Sequence, residues 1–235
     1  MRRYLVTGGT SGIGEAIVNV LHAHGSHVTV LARRTPEIST LPNVDYLAVD
    51  LSSHEETLAC LAKLKRSAIT YDGVVSNAGL GLFGQLENHD ANRISDTVQL
   101  NLTSHILLAR ALLPGMKQCG RGTFVFMGSE AALMGAKNGA VYCATKFGLR
   151  GLAHSLRADS AASGVRVCLI NPGMVDTPFF DELWFGPGKA EGQHLTVEDV
   201  ARTVWHVLSA PKGVVIDEVS LSPQSKVVVF DRSKR

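Results

Sequence analysis

The sequence predicts an α/β fold, a doubly wound parallel β-sheet of about seven strands with helices on both faces. Short runs of β-branched residues alternate with longer helical patterns along the chain, which is typical of strand–helix–strand units. Most runs are apolar at consecutive rather than alternate positions, as expected for strands buried on both faces. No repeat or low-complexity segment interrupts the pattern, so we expect a single domain over residues 1–235.

The predicted elements follow one another in a regular order. Strands are expected at "YLVTG" (4–8), "HVTVLA" (27–32), "YLAVD" (46–50), "GVVSNAG" (73–79), "GTFVFMGS" (122–129), "VRVCLINPG" (165–173) and "GVVIDEVSL" (213–221). Helical patterns lie near 12–24, 54–66, 90–118, 139–163 and 196–209, and right-handed crossovers fix most of the topology. The long irregular stretch 174–195 contains the flexible "GPGKAEG", and we expect it to form a lid.

Composition and charge exclude several classes of protein. The 45% hydrophobic and 19% charged residues are ordinary for a soluble domain. The net charge of +2 is too small to indicate a nucleic-acid partner, and we expect the closing "DRSKR" to be solvated. No apolar run reaches about 18 residues and a strand begins almost at Met1, so we expect neither a membrane span nor a targeting peptide.

The cysteines and histidines indicate no disulfide framework and no metal. Cys60, Cys119, Cys143 and Cys168 lack disulfide-framework or metal-ligand spacing, so we expect reduced thiols in a cytoplasmic protein. The nine histidines are dispersed, without the pairing with carboxylates that a metal site needs.

A glycine-rich turn, "TGGTSGIG" (7–14), joins the first strand to the first helix. Gly8, Gly12 and Gly14 would let backbone N–H groups approach a phosphate, and the helix N-terminus adds favourable charge. The spacing Gly-x-x-x-Gly-x-Gly differs from the usual dinucleotide fingerprint Gly-x-Gly-x-x-Gly. The prediction of a bound nucleotide therefore rests on the position of the turn between a strand and a helix, and not on the glycine spacing.

The end of the second predicted strand indicates which nucleotide binds. A carboxylate about 20 residues beyond the glycines would bind a ribose 2′-hydroxyl, but no acid occurs between Glu15 and Glu37. Arg33 and Arg34 stand there instead, and a guanidinium can clamp a 2′-phosphate through charge-assisted hydrogen bonds. The sequence favours NADP(H) over NAD(H); the alternative is two solvated loop arginines.

Tyr142 and Lys146 lie four residues apart in "YCATK", so they share one face of a predicted helix. Ser129 ends the preceding predicted strand, so three groups able to handle a proton could meet. An exposed helix pair is worth only about 0.2–0.5 kcal/mol, whereas bringing the pKa of a tyrosine from about 10 toward neutrality takes about 3–4 kcal/mol. We therefore expect a water-poor site whose competence depends on bound cofactor.

These motifs resemble the short-chain dehydrogenase/reductase family, in its compact single-domain branch. The resemblance extends from Tyr4 to about Ser222 through "TGGTSGIG", "VDLS" (49–52), "SNAG" (76–79), "LNLTS" (100–104), "GSEAA" (128–132), "YCATK" (142–146) and "NPGMVDTP" (171–178). It implies a Rossmann-type fold and hydride transfer between a nicotinamide cofactor and a substrate. Residues 35–45 are too few for the full second helix of many members, which leaves some adenine contacts open.

The resemblance also implies roles for matching residues. Tyr142 would donate a proton to the substrate oxygen, and Lys146 would lower the pKa of that tyrosine and bind the nicotinamide ribose. Ser129 would polarise the carbonyl oxygen, and Asn101 would hold a water connected to Lys146. The implied cofactor-binding residues are Gly8, Thr10, Ser11, Gly12, Ile13, Gly14, Arg33, Arg34, Asp50, Leu51, Asn77, Ala78, Gly79, Tyr142, Lys146, Pro172, Gly173, Val175 and Thr177. Taken singly, the strand-end Asp50 and the pair Pro172–Gly173 also fit ordinary turns.

The substrate is expected to lie between Glu130–Asn138, the "LGLF" after Gly79, and the lid. The lid carries the apolar residues Phe179, Phe180, Leu183, Trp184 and Phe185. Such residues favour a cover over an apolar or aromatic substrate, although they could also pack onto the domain or a neighbouring subunit. Glu130 would contact an amine or hydroxyl of the substrate, or face water.

A carboxylate substrate is less favoured, although one segment argues for it. No arginine lies between Val167 and Ala201, which leaves Lys137 and Lys189 as candidate carboxylate ligands. The segment "LTVEDVARTVWHVLSAP" (195–211) nevertheless resembles the corresponding part of bacterial hydroxy-acid and serine dehydrogenases of the family.

The predicted function is reduction of an apolar or aromatic ketone or aldehyde with NADPH, or the reverse oxidation. The alternatives are a hydroxy-acid dehydrogenase of the same family and an NADP(H)-binding sensor or scaffold without turnover. A stripe of small residues, Ala144, Gly148, Gly151 and Ser155, predicts close helix packing. In the family such a helix commonly forms homodimers or homotetramers; packing within the chain is the alternative.

Overall fold

A computed structural model describes residues 1–35, 41–231 and 233. The strands are β1 (Arg3–Thr7), β2 (His27–Ala32), β3 (Val44–Ala48), β4 (Gly73–Ser76), β5 (Gly122–Met127), β6 (Val165–Pro172), β7 (Phe185–Pro187), β8 (Glu218–Leu221) and β9 (Val228–Phe230). The α-helices are α1 (Gly12–Ala23), α2 (His54–Arg66), α3 (Ala91–Val98), α4 (Ser104–Gln118), α5 (Ala140–Ser160) and α6 (Val197–Ser209). A π-helical segment, Gln99–Thr103, joins α3 to α4.

Seven of the described strands form one parallel sheet in the order β3–β2–β1–β4–β5–β6–β8, which confirms the predicted fold class. Successive strand residues point to opposite faces. In β1, for example, Leu5 packs on one side of the sheet and Val6 on the other, and both are fully buried. Consecutive apolar residues are needed because both faces of the sheet are covered.

Two helical layers provide that cover. On one face, α1 and α6 pack against the sheet through residues such as Ile17 and Val204. On the other face, α2, α4 and α5 contribute Leu61, Leu112 and Leu149. Within the described residues, no helix is long and apolar enough to cross a lipid bilayer.

The sheet order determines where a ligand can bind. All the strands of the parallel sheet end at the same edge, and the order reverses beside β1, which lies between β2 and β4. In sheets of this kind the crevice beyond the strand ends at such a reversal is the usual ligand site. The loops after Thr7, Ser76 and Met127 all open into this crevice.

Several predicted boundaries differ from the structure. The last predicted strand, 213–221, is restricted to β8, because its ladder with β6 begins only at Leu169 opposite Glu218. The strand predicted at 46–50 lies two residues earlier, as β3. The predicted helix 90–118 is divided by the π-helical segment. Of the segment 35–45, residues 36–40 lie outside the described residues and 41–43 are not helical.

The segment 174–195 is more ordered than the predicted irregular lid. It contains a short 3₁₀ turn at Pro178–Phe180 and strand β7. Strand β7 pairs antiparallel with β9, which the sequence analysis missed. The residues 222–231, here called the C-terminal strap, therefore run along the lid. Asp231 is part of this contact, because its backbone N–H donates to the carbonyl of Trp184 at 2.8 Å.

Candidate active site

A cleft of about 2180 Å³ opens along the carboxyl edge of the sheet. Every predicted catalytic or cofactor-binding residue lines this cleft except Asn101, which is buried behind it. The cleft runs from the glycine-rich turn and the end of β2, past the ends of β4 and β5, to the lid and the C-terminal strap.

The glycine-rich turn has no space for a side chain at its last glycine, Gly14. A Cβ atom at Gly14 would lie 2.0 Å from the carbonyl oxygen of Gly8, and Gly8 itself has φ +67°. The amide of Asn77 donates to the carbonyls of Thr7 (3.0 Å) and Gly8 (3.3 Å). The side chain of Ser11 makes no capping hydrogen bond at the start of α1. The turn thus offers backbone N–H groups and a helix N-terminus to an anion, which fits the pyrophosphate of a dinucleotide.

The ends of β2 and β3 form the opposite end of the cleft. Arg33 and Arg34 are exposed there and line its wall. The carboxylate of Asp50 accepts hydrogen bonds from the backbone (2.9 Å) and hydroxyl (2.7 Å) of Ser52, so it also caps the turn before α2. Leu51 beside it is buried.

The loop after β6 closes over the glycine-rich turn. The N–H of Gly173 donates to the carbonyl of Leu221 at 2.7 Å, and Val175 forms a β-bridge with Leu195. These contacts direct Thr177 toward Gly12, where a Cβ atom would lie 3.4 Å from the Thr177 methyl group. Pro172, Gly173, Val175 and Thr177 accordingly form one continuous wall of the cleft.

Ser129, Tyr142 and Lys146 come together where β5 and α5 approach each other. The hydroxyl groups of Tyr142 and Ser129 are hydrogen-bonded. The Lys146 ammonium donates to the carbonyl of Met127 at 2.9 Å and lies 5.7 Å from the centre of the Tyr142 ring. Tyr142 is 8% exposed and Lys146 4% exposed, so this is the water-poor environment that the sequence predicts.

Burial acts on the two titratable groups in opposite directions. It raises the pKa of Tyr142 to about 12, against the lowering effect of the hydrogen bond with Ser129. It lowers the pKa of Lys146 to about 8. Both shifts favour the neutral forms, as expected when charge is transferred out of water. Tyr142 is therefore a protonated donor at neutral pH, and a phenolate there would need an added positive charge.

Asn101 acts on the backbone beside Lys146. Its side-chain oxygen accepts from the N–H of Leu80 (2.9 Å), and its amide donates to the Leu80 carbonyl (2.8 Å) and to Thr145 (3.4 Å). A Cβ atom at Gly79 would lie 3.3 Å from this oxygen and 3.8 Å from the Lys146 nitrogen. Asn101 thus holds the segment after β4 close to the lysine.

An aromatic cluster covers the Tyr142 ring. Phe83 lies 5.1 Å and Phe179 5.9 Å from it, centroid to centroid. Phe83 also contacts Phe185 at 4.9 Å, and the cluster continues through Trp184 to Phe230 of the C-terminal strap. The predicted apolar lid is thus built from both the 174–195 segment and the end of the chain.

One expectation about the charged residues near the substrate was wrong, and one lysine was missed. Lys189, a predicted candidate for binding a carboxylate, pairs with Asp176 at 2.6 Å and does not line the cleft. Lys226, which the sequence analysis missed, lines the cleft and pairs with Glu130 at 2.6 Å. Lys137 lies in the wall as expected. Among the described residues, no cluster of three potential metal ligands occurs.

Sequence comparison identifies the family of this chain. A sequence model described as short chain dehydrogenase matches residues 2–185. The chain belongs to the short-chain dehydrogenase/reductase family. Uncharacterised oxidoreductases from Staphylococcus aureus are 27% identical over 225 residues, which cover 93% of this chain and 96% of theirs. This short-chain dehydrogenase is accordingly an oxidoreductase.

Solved structures give the same result for this short-chain dehydrogenase. An alcohol dehydrogenase from Thermococcus sibiricus, complexed with 5-hydroxy-NADP, is 27% identical with a TM-score of 0.84; the alignment covers 95% of this chain and 97% of that one. Serine dehydrogenase from Escherichia coli is 29% identical with a TM-score of 0.80, covering 93% and 96%. A serine dehydrogenase complexed with NADP+ is 27% identical with a TM-score of 0.81, covering 93% and 94%.

A buried histidine of this short-chain dehydrogenase also escaped the sequence analysis. His105 on α4 is 1% exposed; its Nδ1 lies 2.6 Å from the Ser76 hydroxyl and its Nε2 lies 3.0 Å from the Ala78 carbonyl. Because a carbonyl only accepts, Nε2 carries the proton and Nδ1 accepts from Ser76. Burial, followed by the charge of Lys146, lowers the pKa of His105 to about 3. The neutral imidazole of His105 thus links the end of β4 to the segment that leads to Gly79.

Acid should destabilise the protein through His105. The unfolded chain binds a proton at about pH 6.5, whereas the folded chain binds it only near pH 3, so stability falls as the pH drops below about 6.5. Between pH 7 and pH 4 we expect the unfolding free energy to fall about 3 kcal/mol more in the wild type than in His105→Gln. Urea unfolding at pH 7, 6, 5 and 4 measures this, with exposed His206→Gln as the matched control. Parallel curves for wild type and His105→Gln would contradict the assignment.

Proposed function

We propose that the protein is an NADP(H)-dependent carbonyl reductase or alcohol dehydrogenase, acting as a single domain over residues 1–235. The observation that carries the proposal is the buried group Ser129, Tyr142 and Lys146 at one part of a cleft. The glycine-rich turn and two arginines lie in the same cleft. A proton donor and a dinucleotide site along one continuous surface are what the proposal requires.

The wall of the cleft fits NADP(H). Gly8 and Gly14 would face the pyrophosphate, and Arg33 and Arg34 would bind the 2′-phosphate through charge-assisted hydrogen bonds. The adenosine part would be bordered by Asp50, Leu51, Asn77, Ala78 and Gly79, and the nicotinamide end by Pro172, Gly173, Val175 and Thr177. Similar proteins that carry NADP or a derivative support this assignment. When bound, NADPH supplies the hydride that reduces the carbonyl carbon.

The residues of this chain then handle the proton and the developing charge. Tyr142, protonated at neutral pH, donates its proton to the substrate oxygen, and in the reverse direction takes it back. Ser129 donates a hydrogen bond to the same oxygen and stabilises its negative charge. Lys146 stabilises the phenolate as the proton leaves, and Asn101 holds the backbone beside that lysine.

The wall around Tyr142 supports our proposal for the substrate class. Phe83, Phe179 and Phe185 form a ring cluster that excludes water and presents apolar surface. We therefore propose reduction of an apolar or aromatic ketone or aldehyde. We propose a small molecule as the physiological partner, and neither nucleic acid nor a membrane.

A second candidate is oxidation of a hydroxy acid. Two observations favour it, the similarity to serine dehydrogenase from Escherichia coli and the presence of Lys137 and Lys226 in the cleft wall. Without an arginine, the bidentate clamp that best recognises a carboxylate is missing from the lid segment. An NADP(H) sensor without turnover is less favoured, since the tyrosine and lysine are both retained.

We also propose a cytoplasmic homodimer or homotetramer. On α5, Ala144, Gly151 and Ser155 are exposed beside exposed Phe147, whereas Gly148 packs on Leu102. Part of the predicted small-residue stripe therefore serves packing within the chain, and the remainder is open to a second copy.

NADPH oxidation over a panel of carbonyl compounds tests the function. The panel contains aromatic aldehydes, diketones, cyclic ketones and keto acids. We expect turnover with uncharged aromatic or cyclic carbonyls, and stoichiometric alcohol. Tight NADPH binding without turnover of any compound would favour the sensor instead, and turnover of keto or hydroxy acids alone would favour the second candidate.

A further inference from the structure

The C-terminal strap and the lid are joined by hydrogen bonds along their length. Besides the β7–β9 ladder, Gly188 N–H donates to the Val227 carbonyl at 2.9 Å and Ser225 N–H to the Gly192 carbonyl at 2.8 Å. Trp184 and Phe230 stack with ring centroids 5.4 Å apart. The strap therefore packs along the lid, and Lys226, Val228, Phe230 and Asp231 line the cleft.

The pairing of strap and lid brings Lys226 into contact with Glu130, the residue that follows Ser129. The Lys226 ammonium contacts Oε1 of Glu130 at 2.6 Å, and the two residues are 96 positions apart in sequence. The second oxygen, Oε2, lies toward Gly173, where a Cβ atom would be 3.6 Å away. Both side chains are partly exposed and both line the cleft, so the pair faces the space beside the Ser129–Tyr142 hydrogen bond.

Charges of both signs surround this space. The segments 129–146, 177–185 and 226–231 contribute four acids to the cleft wall, Glu130, Asp181, Glu182 and Asp231, and three lysines, Lys137, Lys146 and Lys226. This count covers the described residues only. A substrate bound at Ser129 would place its neighbouring substituent against Glu130.

We propose that the Glu130–Lys226 ion pair is a specificity determinant that admits uncharged carbonyl compounds and rejects free carboxylates, an inference that rests on the proposed function. A carboxylate could contact the Lys226 ammonium only by displacing or sharing Glu130. That would leave two negative groups within about 4–6 Å of each other. An ester or amide of the same shape meets the intact pair without this repulsion.

The test compares a charged and an uncharged substrate of similar shape. Phenylglyoxylate and its methyl ester differ in charge and in the intrinsic reactivity of the ketone, so the change in the ratio of their kcat/KM values between wild type and variant isolates the effect of the ion pair. We expect the wild type to favour the ester by about tenfold or more, and Glu130→Gln to reduce that preference by about tenfold by freeing the ammonium. Lys226→Gln should increase the preference, because Glu130 is then unpaired. Any general change in catalysis cancels in the ratio.

Lys189→Gln is the matched control. It removes a lysine–carboxylate pair of the same 2.6 Å length from the lid, outside the cleft lining. Its ester-to-acid ratio should equal that of the wild type, and thermal melts verify that all variants are folded. A wild type that prefers the acid, or a ratio that Glu130→Gln and Lys189→Gln change equally, would overturn the proposal.

A binding measurement separates this proposal from the proposed function. Calorimetry with phenylacetate and phenylacetamide, on the protein saturated with NADP+, needs no turnover. We expect the wild type to bind the amide more tightly, and Glu130→Gln to gain about tenfold in affinity for phenylacetate. Equal acid and amide affinities in both proteins would overturn the specificity proposal, even if carbonyl turnover is found. The predicted affinities together with absent turnover would overturn only the proposed function.

Discussion

Replacing Tyr142 by phenylalanine should lower kcat by about 10²–10⁴-fold while NADPH binding persists. The substitution removes only the hydroxyl that is hydrogen-bonded with Ser129 and that would donate the proton. The ring contacts with Phe83 and Phe179 remain, so the lid should keep its packing. Steady-state rates on the best carbonyl substrate, with NADPH affinity from fluorescence titration, measure the two effects separately.

Tyr71→Phe is the matched control for this experiment. Tyr71 is also buried (3% exposed), and its hydroxyl bonds to Thr29 at 3.3 Å, but it does not line the cleft. It should retain the wild-type kcat. Equal rates for wild type and Tyr142→Phe would remove the tyrosine from the mechanism, and a loss of NADPH binding would mean that its hydroxyl serves cofactor binding.

Replacing Arg33 or Arg34 by serine should weaken NADPH binding selectively. A hydrogen bond to a charged group contributes about 1.5–3 kcal/mol, so each substitution should raise the Kd for NADPH by about 10–100-fold if its guanidinium binds the 2′-phosphate. NADH lacks that phosphate, so its Kd should change little. Calorimetric titration of each variant with both cofactors gives the comparison.

The NADH measurement is the internal control for the arginines. Arg202→Ser, which removes an exposed arginine paired with Asp199 on α6, controls for a general change in charge. Equal losses for NADPH and NADH would show that the arginines act on the turn after β2 as a whole. No change with either cofactor would mean that both are solvated loop residues.

Much of the fold could be predicted because its determinants are local. Consecutive apolar residues such as Leu5 and Val6 indicate a strand that is covered on both faces. The alternation of strands and helices along the chain is compatible with only a few topologies. The meeting of Ser129, Tyr142 and Lys146 was predictable for a similar reason. Two of them share a helix face, and parallel strands all end at the same edge of the sheet.

What could not be predicted depends on contacts between distant parts of the chain. Glu130 and Lys226 are 96 residues apart, and nothing in the local pattern around Lys226 indicates a residue in the cleft. The short strands β7 and β9 are stable only because they pair with each other and pack around Trp184 and Phe230. Val227–Phe230 could have signalled a strand, but not its partner.

Buried polar residues were missed or incompletely interpreted for another physical reason. His105 lies in an apolar helical pattern, where only the positions of Ser76 and Ala78 reveal that its ring is a brace. Asn101 was predicted to be functional, but its hydrogen bonds to Leu80 could not be predicted. They depend on the π-helical segment, which places Asn101 behind the cleft. The satisfaction of a buried polar group depends on its three-dimensional surroundings.

The most direct test of the central claim follows the hydride itself. The protein is incubated with NADPH deuterated at C4, in separate 4R and 4S forms, and with the best carbonyl substrate from the panel. Mass spectrometry of the alcohol should find one deuterium, bonded to the carbinol carbon, from one of the two labelled forms only, and almost no alcohol from Tyr142→Phe. Alcohol without deuterium from either form, or oxidation of NADPH without alcohol, would contradict a site in which this chain transfers hydride directly to a carbonyl.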